Sequence, residues 1–140
     1  LRLATYAPAL TRKGPGLLLA DLQKGDDPQI AAVVEVIAAA RPDVLLLTDF
    51  DWDFEGLALD AFAARLAAAG LDYPHRLAPQ PNRGLATGLD LDGDGRRGTP
   101  EDAQGFGFFT GEGGMALLSN RPLGALIDHS AARWRDQPGT

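Results

Sequence analysis

The sequence has 140 residues, 45% of them hydrophobic and 23% charged, the balance of one globular domain and not of a disordered chain. Its 13 basic and 19 acidic side chains leave a net charge of −6, which argues against tight non-specific binding to nucleic acid or anionic lipid, since both depend on Lys and Arg density. The chain has no cysteine, so disulfides, thiolate nucleophiles and cysteine zinc sites are excluded, and no apolar run approaches the ~20 residues of a membrane span.

Leu1-Arg-Leu-Ala-Thr-Tyr-Ala7 alternates over a short range and predicts a strand. Residues 8–26 read as loop, because Pro8, Gly14, Pro15, Gly16 and Gly25 interrupt a brief apolar patch at Leu17–Leu19. Asp27 and Pro28 then have the chemistry of an N-cap and a first helical residue. Ile30, Val33, Val34 and Ile37 follow on one helical face, and Arg41-Pro42 ends the helix. Val44-Leu-Leu-Leu47 is a continuous apolar run, expected to be a strand buried on both faces. A second helix is expected over about Leu57–Ala69, with Gly70 as its terminator. Further strands are expected at Tyr73–Leu77 and Met115–Ser119. Between Gly70 and Gly114 lie 11 of the 17 glycines, the composition of a long functional loop. The order β-α-β-α-β-loop-β predicts an α/β fold with parallel strands around the first helix.

Asp90-Leu-Asp92-Gly-Asp94-Gly95-Arg96-Arg-Gly-Thr-Pro-Glu101 matches D-x-D-x-D-G with a glutamate at position 12. Calcium takes six to eight oxygens, and carboxylates two residues apart project into one turn. Candidate ligands are Asp90, Asp92, Asp94, the Arg96 backbone carbonyl, Glu101 and the adjacent Asp102, with Gly95 permitting the reversal. Arg97 at position 8, Pro100 at position 11, and Pro81, Gly84 and Gly88 upstream argue against flanking helices. The expectation is a calcium loop outside an EF-hand; the bland alternative is a solvated acidic turn.

Three segments in order resemble the endonuclease/exonuclease/phosphatase superfamily, in particular bacterial, secreted members. They are Leu1–Ala7, Arg41-Pro-Asp-Val-Leu-Leu-Leu-Thr-Asp49, and Gly114-Met-Ala-Leu-Leu-Ser119 followed by Arg121-Pro122-Leu123. The acidic loop followed by Gly105-Phe-Gly-Phe-Phe109 is similar to an insertion in those members. The resemblance implies the N-terminal half of a four-layer α/β sandwich, occupying residues 1–140 as one domain cut short near Thr140, with the Gly-rich excursion at about 79–114. It implies an extracellular or periplasmic protein whose leader has been removed.

The same resemblance implies metal-activated water attacking a phosphate ester, with Mg²⁺ or Mn²⁺ held by an asparagine ending the first strand and a glutamate ending the second. Here those positions hold Ala7, which offers no side-chain oxygen, and Asp49, which remains a hard ligand. The family's later Gly-Asp-x-Asn and Ser-Asp-His segments are absent, and Asp128-His129-Ser130 comes too early to be the latter. His75 and His129 read as ordinary core or surface histidines.

Two segments keep alternatives open. Asp49, Asp51, Asp53 and Glu55 interleave with Phe50, Trp52 and Phe54, either lining a substrate entrance or second cation site or forming a solvated loop with aromatics on the core. Gly105–Phe109 either stacks a substrate ring or packs on the sheet. The implied function is a phosphoester-hydrolase-like protein, catalytically incomplete over these residues, with a structural calcium site and an unidentified phosphate-ester substrate. The competing reading is a non-catalytic, calcium-stabilised binding module, in which a half-sandwich exposes a sheet face and forms a homodimer.

Overall fold

The computed structural model describes residues 1–139. Seven regular elements follow one another: β1 (Leu3–Tyr6), α1 (Leu17–Lys24), α2 (Pro28–Ala40), β2 (Val44–Phe50), α3 (Leu57–Ala68), β3 (His75–Leu77) and β4 (Gly114–Ser119). Two 3₁₀ turns, Pro100–Asp102 and Trp134–Asp136, lie in the later half. The mixed α/β class expected from the sequence is the observed one.

The strands form one sheet in the order β1-β2-β4-β3. β1 and β2 run parallel, Leu3 opposite Val44 through Tyr6 opposite Leu47, because α2 lies in the crossover between them. β4 pairs antiparallel with both β2 and β3. Alternation then decides the faces. Leu45, Leu47, Ala116 and Leu118 join Leu18 and Leu22 of α1, Ile30, Val33 and Ile37 of α2, and Leu59, Phe62 and Leu66 of α3 in one core. Each fully buried aliphatic or aromatic side chain there contributes about 1.5–3 kcal/mol relative to exposure.

Residues of opposite parity contribute little to that core. Val44, Leu46 and Leu117 are half-buried, while Leu3 and Met115 are exposed. β2 is therefore not buried on both faces as its apolar run predicts: the helices cover one face only.

α2 forms as its sequence predicts. Asp27 Oδ1 accepts the Ile30 amide at 2.8 Å, Pro28 occupies the first turn, and Arg41 caps the end in a left-handed conformation before Pro42. α1 occupies part of the stretch expected to be loop. Gly16 and Gly25, read as interruptions, are its two left-handed caps, at φ 76° and 80°. Leu18 and Leu22, four apart, meet the core between them.

Candidate functional site

Residues 78–113 hold no strand longer than an isolated bridge, Ala86 with Ala103. Side chains and glycines shape this excursion. Asp90 opens the acidic loop by accepting the Gly93 amide at 2.7 Å and the Gly95 amide at 2.9 Å. Gly95 takes φ 84° there, the left-handed reversal a glycine makes without steric cost. Asp94 Oδ1 accepts the Arg96 amide at 2.7 Å.

Asp102 fastens the other end. Its side chain is 1% exposed, accepts the Leu91 amide at 2.7 Å across the loop, and takes the Thr99 amide and hydroxyl at 3.3 and 3.2 Å. The Leu91 amide foremost, with Thr99 assisting, holds the Asp102 carboxyl below the ordinary carboxylate range against desolvation.

Among the described residues, the carboxylates of Asp90, Asp92 and Asp102 gather, one oxygen of each lying within 4.8 Å of the others. Three of the predicted ligands thus come together. Asp94 and Glu101 stand outside the group and exposed, and Arg96 is exposed in the same loop. The residue that closes the loop is Asp102, not the position-12 Glu101, because the 3₁₀ turn begun by Pro100 buries Asp102 and leaves Glu101 outside. The crowding leaves a mark on Asp92. The Asp94 amide pulls its carboxyl downward, but desolvation and the charges of Asp94 and Asp102 outweigh it and raise its proton affinity.

A second set of charges lies at the C-terminal end of β2. The β2–β4 register shifts between Leu47 and Phe50, and Asp49 sits in that bulge at φ 53°. Both Leu47 and Phe50 consequently reach the core, Phe50 edge-on to Phe62 at 5.7 Å, and Asp49 is turned outward, half-exposed. Arg83 approaches from the Gly-rich excursion. Its Nη1 lies 3.8 Å from Asp49 Oδ1 and its Nη2 donates to Glu112 Oε1 at 3.0 Å. Glu112 Oε2 accepts the Phe108 amide at 2.6 Å. Asp51, 5% exposed, accepts the Arg12 amide at 2.7 Å and the Gly113 amide at 2.9 Å. Desolvation raises its carboxyl pKa past the opposing pull of those two amides, and the Glu112 charge adds to the rise.

Ala7, the residue that follows β1, is exposed and brings no side-chain oxygen to this place. The divalent ion implied there by the resemblance finds one carboxylate, already beside a guanidinium, and two others whose oxygens are held by N–H donors. With that guanidinium in place, no carboxylate charge here is left unbalanced for a hard cation such as Mg²⁺, which binds through one or two carboxylates and keeps several waters.

The acidic-aromatic segment divides its labour. Trp52 Nε1 donates to the Ala78 carbonyl at 3.0 Å. Asp53 accepts the Leu57 and Ala58 amides, both at 2.8 Å, and so caps α3. Phe54 is 90% exposed, edge-on to Trp52. Phe106 and Phe108 do not pack on the sheet: they are exposed and meet edge-to-face at 5.8 Å. Asp128 accepts the Ser130 amide and hydroxyl in a local turn beside an exposed His129.

Arg83 and Glu112 carried no signal in the sequence. They are 29 residues apart, and Arg83 is 34 from Asp49, so no local motif contains the ion pairs.

The sequence model of the endonuclease/exonuclease/phosphatase family matches residues 20–139. No curated protein matches the chain. Among solved structures, the chain is similar to an endonuclease/exonuclease/phosphatase from Beutenbergia cavernae DSM 12333, at 23% identity and a TM-score of 0.46. The match covers 89% of this chain and 27% of that one, so the chain spans about a quarter of that protein's length.

Proposed function

The chain belongs to the endonuclease/exonuclease/phosphatase family, and from that footing we propose that it is part of a phosphoester-hydrolase-like protein whose acidic loop holds a structural calcium ion. The observation that supports this reading is the convergence of Asp90, Asp92 and Asp102 within 4.8 Å, in a loop whose spacing is that of calcium ligands. Carboxylate oxygens are the hard donors calcium takes, and the ion would offset three like charges otherwise crowded together. Its role is architectural: it ties the two ends of the loop and stiffens the excursion that carries Arg83 to the end of β2.

Among the described residues no helix is long and apolar enough to cross a membrane, and the family points to phosphate esters as the substrate class. The acidic balance disfavours duplex DNA within that class. Residence outside the cytoplasm fits a calcium loop whose expected affinity, about 10⁻⁴–10⁻³ M, suits extracellular calcium.

Ala7 and the Asp49–Arg83 pair favour the second reading, a binding module without hydrolytic chemistry over these residues. Titration calorimetry separates the claims. The parent should bind one calcium ion per chain, and Asp92→Asn should weaken binding at least ~10-fold, the loss of one of three charged ligands. Equal affinity in parent and variant contradicts the calcium reading. Metal-dependent turnover of bis(p-nitrophenyl) phosphate by these residues contradicts the non-catalytic one.

A further inference from the structure

We propose that Arg83 is the resident cation at the end of β2: its guanidinium balances Asp49 and Glu112 there and keeps a divalent ion out. This goes beyond the calcium reading and does not rest on it.

The guanidinium is committed in three directions. Nη2 meets Glu112 Oε1 at 3.0 Å, Nη1 faces Asp49 Oδ1 at 3.8 Å, and Nε donates to the Phe106 carbonyl at 3.1 Å. A planar fork of fixed donors suits such a position better than a flexible ammonium does. Glu112 is 8% exposed, and a carboxylate so far from water needs a cation close by. Its second oxygen is taken by the Phe108 amide, and both oxygens of Asp51 by the Arg12 and Gly113 amides. Asp49 alone offers charge outward, and it already faces the guanidinium.

The backbone is built around this arrangement. A Cβ at Gly113 would lie 2.6 Å from Arg83 Nη1 and 3.4 Å from Asp49 Oδ1, so the glycine leaves the room that the guanidinium fills. Arg83 is brought there by its neighbour Gly84, whose amide bonds the Gln104 carbonyl at 3.0 Å and whose φ of 78° directs the turn. The positive charge is thus supplied by the chain and held by the same excursion that carries the acidic loop.

The test counts bound Mn²⁺ per chain by the loss of the free-ion paramagnetic resonance signal. It compares the parent, Arg83→Met, Arg83→Gln and Arg83→Lys, each with and without Asp92→Asn to silence the loop. Removing the guanidinium should add one bound ion per chain in the Met and Gln variants, whether or not the loop is silenced, and none in Arg83→Lys. The Gln variant retains a donor for Glu112 and guards against loss of fold in the Met variant. Two results overturn the proposal: no gain in either neutral variant, or a site in the parent that survives Asp92→Asn and disappears with Asp49→Asn. Failure of the calcium reading registers separately, as no loop-dependent ion in the parent.

Discussion

Asp102 shows what a single side chain decides here. The D-x-D-x-D-G spacing singles out Asp90 and Asp92 from the sequence, but it places Glu101 at the closing position. Which of two adjacent acids turns inward depends on the 3₁₀ turn at Pro100–Asp102 and the Thr99 contacts, geometry that ligand spacing does not contain. Gly84 is the complementary case, a residue whose value lies in having no side chain. A Cβ there would meet the Phe109 carbonyl oxygen at 1.9 Å, at a φ of 78°. Gly84→Ala is expected to destabilise the chain by about 1–3 kcal/mol, the range for overpacking and strain, and to lower the urea midpoint without changing its slope. A midpoint equal to the parent's would show that the excursion gives way without cost.

Among the elements, those with helical or strand periodicity and recognisable caps were legible: α2 with Asp27 and Pro28, α3 after its acidic segment, and β1, β2 and β4. α1 was not, because eight residues between glycines look like an interrupted loop until the glycines prove to be caps. The face exposure of β2 was also hidden, since Val44-Leu-Leu-Leu47 states apolarity and not what covers it. The strand ends make a testable unit. Asp43 receives the Arg2 amide and the Asn120 side-chain amide, and its own backbone bonds Arg2 and Asn120. One residue thereby joins the ends of β1, β2 and β4. The Asn120 hydrogen bond foremost, then the Arg2 amide, holds its carboxyl below the ordinary range. A depressed acid stabilises the native state above its unfolded pKa and loses that contribution as pH falls through the native one. The melting temperature of Asp43→Asn should therefore lie below the parent's at neutral pH, with the gap closing below about pH 4. A gap of constant size down to acid pH contradicts this assignment.

At the scale of the whole molecule, the helices cover one face of a four-stranded sheet, and two separate groups of carboxylates lie along the Gly-rich excursion. Those at the end of β2 are balanced from within by Arg83 and by amides. Among the described residues, those of the acidic loop have backbone donors and the Thr99 hydroxyl, and no cationic side chain, as hydrogen-bond partners. The resemblance made the family legible. The ion pairs of Arg83 with Asp49 and Glu112 became visible only in three dimensions, because their members are scattered between residues 49 and 112. The measurement that bears most directly on the account is residue-resolved amide hydrogen exchange with and without calcium. The Leu91, Gly93 and Gly95 amides, which donate to Asp102 and Asp90, should exchange at least ~10-fold more slowly when calcium is present, with Leu45 and Leu118 in the sheet unchanged. Exchange at those three loop amides that is the same with and without the ion would contradict a calcium-organised loop.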